Sequence, residues 1–108
     1  MAWGSINIGG GAGGSKIQVA MITLPEGGLW DDNGNGTYSI LSASTGIELS
    51  SDDLAQLITV TPRTNYYNAY QESGIRCLGV ENGTQLYFEC DSPPSASIDV
   101  YVAVQEVG

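Results

Sequence analysis

The chain has 108 residues, with three Lys and Arg against twelve Asp and Glu, so its formal charge is −9. One domain is expected at that length, and nucleic acid and anionic membrane surfaces are excluded as partners because binding phosphate takes clustered basic side chains. Histidine is absent and cysteine occurs twice, which removes His-dependent triads, the usual zinc ligand sets and the commonest general base, so no enzyme is expected.

The opening, MAWGSINIGGGAGGSK, lacks the basic start and apolar core of a secretory leader, and no apolar run is long enough to cross a bilayer. Trp3, Ile6 and Ile8 form a short apolar patch, followed by GGGAGG at 9–14, which reads as a flexible tether. The patch is either a frayed end or a peg that inserts into a larger assembly. Residues 1–15 are therefore read as an attachment segment and 16–108 as the folded domain.

From Lys16, KIQVAMITL is β-branched and nearly continuous, the texture of a buried strand, and Pro25 with Gly27-Gly28 ends it. LWDDNGNGTYSIL sets two apolar flanks around a turn-rich centre and predicts a hairpin on an Asn-Gly turn. Within it, Asp31, Asn33 and Asn35 match the opening of a calcium loop, where alternate side-chain oxygens converge on a hard cation. The twelfth position, which should carry a bidentate acid, is Ser42, and no helices flank the loop. A solvated turn without a cofactor is the simpler reading, with calcium as the alternative.

ELSSDDLAQ carries the one helix signal, a single turn with Ser50 as cap and Asp53 three residues on, before LITVTP resumes as strand. RTNYYNAY follows, holding three of the six tyrosines, and its spacing suits neither a helix face nor an alternating strand. Two readings stand. Tyr66, Tyr67 and Tyr70 cover a sandwich edge or a subunit interface, or they stack on sugar faces while Arg63, Asn65 and Asn68 bond hydroxyls.

GIRCLGVENGTQLYFEC predicts a second hairpin. With Asn82-Gly83 central to its turn, Arg76 lies opposite Glu89, and Ile75, Cys77, Leu86, Phe88 and Cys90 share a face. Cys77 and Cys90 become diagonal neighbours, open either to a disulfide or to packing as free thiols. After the break DSPPS, ASIDVYVAV alternates: Ile98, Val100, Val102 and Val104 one way, Asp99, Tyr101 and Gln105 the other. Short strands punctuated by turns, without sustained helical period, predict an all-β antiparallel β-sandwich of about six to eight strands.

From about Leu57 to Val104, ITVTPRTNYYNAY…GIRCLGVENGTQLYFECDSPPSASIDVYVAV resembles the C-terminal domains of bacteriophage tail fibres and the H-type lectin fold they often adopt. The shared texture is a strand ending in VTP, a polar aromatic loop, a hairpin with an apolar second arm, a turn of small residues and a final alternating strand. The resemblance implies a six-stranded sandwich that forms homotrimers and binds carbohydrate or another surface ligand. This chain departs from it in carrying Tyr101-Val102-Ala103-Val104 where a tryptophan is common, and a Gly-rich segment in place of a fibre shaft. The expected function is a non-enzymatic adhesin or receptor-binding module of a phage virion, assembled in the host cytoplasm and exposed on the particle. Its partners would be other virion proteins and a host surface glycan. A decoration protein of the phage head or tail, and a soluble carbohydrate-binding lectin, are the alternatives.

Overall fold

The computed structural model describes residues 6–8, 15–52 and 54–107. Eight strands are found among them: β1 (Ile6–Ile8), β2 (Ser15–Leu24), β3 (Asp31–Asp32), β4 (Tyr38–Leu41), β5 (Gln56–Pro62), β6 (Arg76–Asn82), β7 (Gln85–Cys90) and β8 (Ile98–Glu106). A helix, α1 (Tyr67–Ser73), joins β5 to β6. The strands form two four-stranded antiparallel sheets, ordered β1-β2-β8-β5 and β3-β4-β7-β6. This is the all-β sandwich that the strand texture predicts.

β8 is last in the chain and central in its sheet, paired with β2 on one side and β5 on the other. Its alternation decides which way the sheet faces. Ile98, Val100, Val102 and Val104 are buried, as expected, and meet Leu86, Phe88 and Cys90 of β7 across the core. Each such side chain contributes about 1.5–3 kcal/mol when fully buried. Trp30 closes the core beside Pro25, its indole N–H donating to the Pro25 carbonyl at 2.8 Å.

β2 differs from its expected two-sided burial. Ile22 and Leu24 are buried, but Met21 is 51% exposed and Thr23 is also exposed. No layer covers the outer face of this sheet among the described residues, so β2 is half-buried however continuous its apolar run.

Residues 42–50 form no strand, yet they follow the tip of the β6–β7 hairpin through Ser42 N–H to the Leu86 carbonyl, Thr45 to Thr84 and Leu49 to Gly83. The buried Ser42 hydroxyl accepts from the Leu86 N–H at 3.0 Å, so this polar group carries no desolvation deficit.

The second hairpin has Arg76 opposite Glu89, but by a different route from the expected one. Gly83-Thr84 forms the turn, since Asn82 already pairs with Gln85. Two irregularities, between Cys77 and Gly79 and between Val80 and Asn82, recover the register. A bulge inserts an extra residue on one strand, which offsets a shifted turn. The first hairpin likewise has a longer connection, closed by the Asn33 N–H on the Thr37 carbonyl at 3.0 Å.

Among the described residues no helix forms at ELSSDDLAQ; a single turn closed by the Ala55 N–H on the Asp52 carbonyl at 3.0 Å stands there, and Asp53 lies outside the described residues. Side chains there take the backbone donors locally: Ser50 Oγ accepts from the Asp52 N–H and Asp52 Oδ1 from the Leu54 N–H. Such short loops compete with a helix for the same groups. The helix forms instead in the tyrosine stretch.

Ile6–Ile8, read from sequence as part of the attachment segment, pairs with β2 as an edge strand, with Ile6 opposite Ile17. Trp3 and the tether at 9–14 lie outside the described residues.

Candidate recognition surface at the helical end of the sandwich

Pro62 ends β5, although the Arg63 N–H still reaches the Asp99 carbonyl of β8 at 3.0 Å. A 3-10 turn over Thr64–Tyr66 then feeds α1. Tyr66, Tyr70 and Ser73 fall at i, i+4 and i+7, a single helical stripe. Tyr66 and Tyr70 are half-buried against the core and Ser73 is buried. Tyr67, one residue out of phase, is 53% exposed and accepts a hydrogen bond from Gln71 Nε2 at 3.0 Å. Asn65 and Asn68 are exposed. The stretch thus combines packing and presentation, and the helical spacing that separates them is legible in the sequence once Gly74 is taken as the stop.

Gly74 ends α1 in the left-handed region, at φ 68°. Its N–H bonds the Gln71 carbonyl and the Ile75 N–H bonds that of Tyr70, the paired closure of a helix C-terminus, with Tyr70 and Ile75 both packed on the core. A Cβ here would lie 2.5 Å from Asp91 Oδ2. That carboxylate also meets Arg76 Nη1 at 3.0 Å, and Arg76 Nε donates to Glu89 at 3.1 Å, so one guanidinium ties the helix end to β7.

Beside this end, Arg63, Thr64 and Asn65 line an open notch with Tyr101 of β8. Tyr101 also borders a shallow apolar depression with Val19, Thr61 and Ala103 on the uncovered sheet face. Asp99 is held on both oxygens: Thr23 Oγ1 donates to one at 2.7 Å, and Arg63 Nη1 lies 3.4 Å from the other. Tyr101, 39% exposed, is the residue that sequence reasoning left out of the site. Its outward phase on β8 was legible, but its position across from Thr61 required strand pairing.

The remaining candidates lie elsewhere. Asp31 pairs with Ser39 across the β3–β4 hairpin. Asn33 Oδ1 accepts from Ser39 Oγ at 2.9 Å, and Asn35 Oδ1 takes both the Thr37 N–H and the Thr37 hydroxyl, so two oxygens counted toward calcium close the turn instead. Among the described residues no three His, Cys, Asp or Glu side chains gather as a metal site. Cys77 lies opposite Phe88, diagonal to Cys90, and both are free thiols. Burial pushes both thiols above their ordinary range and also raises Tyr70, where the nearby Cys77 adds to the effect. Raised thiols stay protonated and are poor nucleophiles.

Fold and surface together define an antiparallel β-sandwich with an aromatic, hydrogen-bonding end. No protein-family model matches the chain, and neither a curated protein nor a solved structure matches it.

Proposed function

We propose that the protein is a non-enzymatic recognition module of a bacteriophage particle, binding a host surface glycan at the notch where Tyr101 meets Arg63, Thr64 and Asn65. The observation that carries this reading is the combination of a presented aromatic ring with neutral and cationic hydrogen-bond donors on a rigid end of the sandwich. An aromatic ring offers an apolar platform for a sugar face, and amide and guanidinium groups match its hydroxyls. Tyr67, standing clear of the core two residues after Asn65, extends the same surface. Loops carried on rigid scaffolds are where binding residues concentrate.

The virion assignment rests on the resemblance of residues from about Leu57 to Val104 to tail-fibre domains. A structural decoration role is the second reading, favoured by the uncovered face around Val19, Met21 and Ala103, which suits contact with another subunit. Binding of the purified protein to host cells and to a glycan array separates them. Wild-type binding that Tyr101→Ala abolishes, with melting temperature unchanged, supports recognition. Absence of binding to cells and glycans, with incorporation in many copies over a phage shell, supports decoration.

A further inference from the structure

We infer that β5 is a self-association edge, along which a second copy of this chain adds antiparallel across a two-fold axis at Thr59. The four sheet edges are unequal. β3 has two residues, β6 is broken by two register shifts, and β1 has three residues, which pair with residues 15–17 of β2 and leave residues 18–24 beyond them. Of the four edge strands, β5 is the one with a regular register over seven residues, Gln56 to Pro62, and nothing is paired on its far side among the described residues. An uncovered strand of this kind is a template for another strand unless charge, proline, a bulge or a covering segment blocks it, and the one proline of β5, Pro62, falls at its last position.

The direction of its free groups follows from the ladder. Hydrogen bonds from the Arg63 N–H to Asp99 and from the Val107 N–H to the Ala55 carbonyl bracket the strand. Backbone groups alternate in direction along a strand, so Leu57, Thr59 and Thr61 face β8, and Gln56, Ile58, Val60 and Pro62 face outward. Proline, which has no N–H to leave unpaired, falls in the outward set. Centring the axis on Thr59 sets Ile58 against the partner's Val60 and Gln56 against the partner's Pro62. Every outward N–H then finds a carbonyl.

Charge selects a second copy as the occupant. Two chains of −9 repel wherever acids meet, but QLITVTP carries no charge. Its flanks are opposite in sign, Asp52 before the strand and Arg63 after it, both exposed. Antiparallel pairing about Thr59 sets Arg63, which also holds Asp99, across from the partner's Ala55 and three residues from the partner's Asp52, so opposite charges stand at both ends of the pair. The same approach covers Leu57 and Leu78, which are 59% and 53% exposed beside the groove between the β5 and β6 edges. Seven residues of strand and two stacked sheets give a footprint of roughly 24 by 20 Å, about 500 Å² per partner. That lies below the roughly 800 Å² per partner of a standard interface, so the pair dissociates on dilution. A two-fold pair replaces the three-fold assembly that the tail-fibre resemblance implies.

Sedimentation equilibrium of the full chain from about 1 to 100 μM tests this, since a micromolar pair shifts from monomer to dimer across that range. Thr59 is exposed and self-opposed at the axis, so Thr59→Lys and Thr59→Asp each set like charges face to face, and each should weaken dimerisation at least tenfold without lowering the monomer's melting temperature. Mixing the two variants in equal amounts should restore a dimer. As a readout independent of charge, Thr59→Cys should oxidise to a covalent dimer, because self-opposed residues outside the hydrogen-bonded pairs stand about 4.5 Å apart, and Thr61→Cys should not. A wild type monomeric throughout, a trimer, undiminished association of Thr59→Lys, or equal cross-linking at both positions would overturn the inference.

Discussion

Tyr67 and Tyr70 lie three residues apart in one helix and have opposite fates on truncation. Tyr70 packs its ring against the core beside Ile75 and is half-buried. A fully buried aromatic loses about 3–5 kcal/mol on truncation to alanine, and the half-buried position scales this to about 2 kcal/mol. For a domain of this size that lowers the melting temperature by about 10 °C. Tyr67 is 53% exposed, with one exposed hydrogen bond to Gln71 as its partner contact, so Tyr67→Ala should stay within about 0.5 kcal/mol of wild type. Alanine's better helix propensity offsets part of that loss. Thermal unfolding by circular dichroism gives the first readout and glycan or cell binding the second. Tyr70→Ala should melt early yet bind when folded at low temperature, and Tyr67→Ala should melt normally yet bind more weakly. Equal melting of the two variants would refute the division between packing and presentation, and full binding by a stable Tyr67→Ala would remove Tyr67 from the recognition surface.

Gly74→Ala should destabilise by about 2 kcal/mol in denaturant titration, most of it the penalty for a side chain in the left-handed region; the displaced Asp91 carboxylate, 65% exposed, adds little. A chelator should leave the melting temperature unchanged at millimolar calcium, because the Asn33 and Asn35 oxygens are engaged within their own turn. Stability should decline above about pH 8.5, since Cys77, Cys90 and Tyr70 are raised in the folded chain and the unfolded chain releases those protons first. Their contribution is whole below the ordinary thiol range and is lost as pH climbs toward the folded values, so a flat profile from pH 8 to 10 in urea titrations would contradict the burial of these groups. Alkylation of Cys90 at neutral pH should require unfolding, because the residue is fully buried.

Sequence alone determined the features that depend on period and local chemistry. The alternation of IDVYVAV determined which residues of β8 enter the core, because successive side chains of a strand point to opposite faces. Turn residues placed both hairpins, and the Arg76–Glu89 complementarity marked a register that the folded chain keeps. The tyrosine stripe and Gly74 also encoded α1, although asparagines and crowded aromatics masked its period.

Other features exist only between distant segments. Whether KIQVAMITL is buried on one face or two depends on whether another layer covers its sheet, which no strand carries in its own sequence. The two bulges of β6 arise because pairing with β7 must satisfy the turn and the core together. Tyr101 joins Arg63 and Asn65 only because β8 lies beside β5, nearly forty residues apart in sequence. β5 is an edge for the same reason: β8 has two sides, β2 takes one and β5 the other, and among the described residues the order of strands leaves the outer side of β5 open.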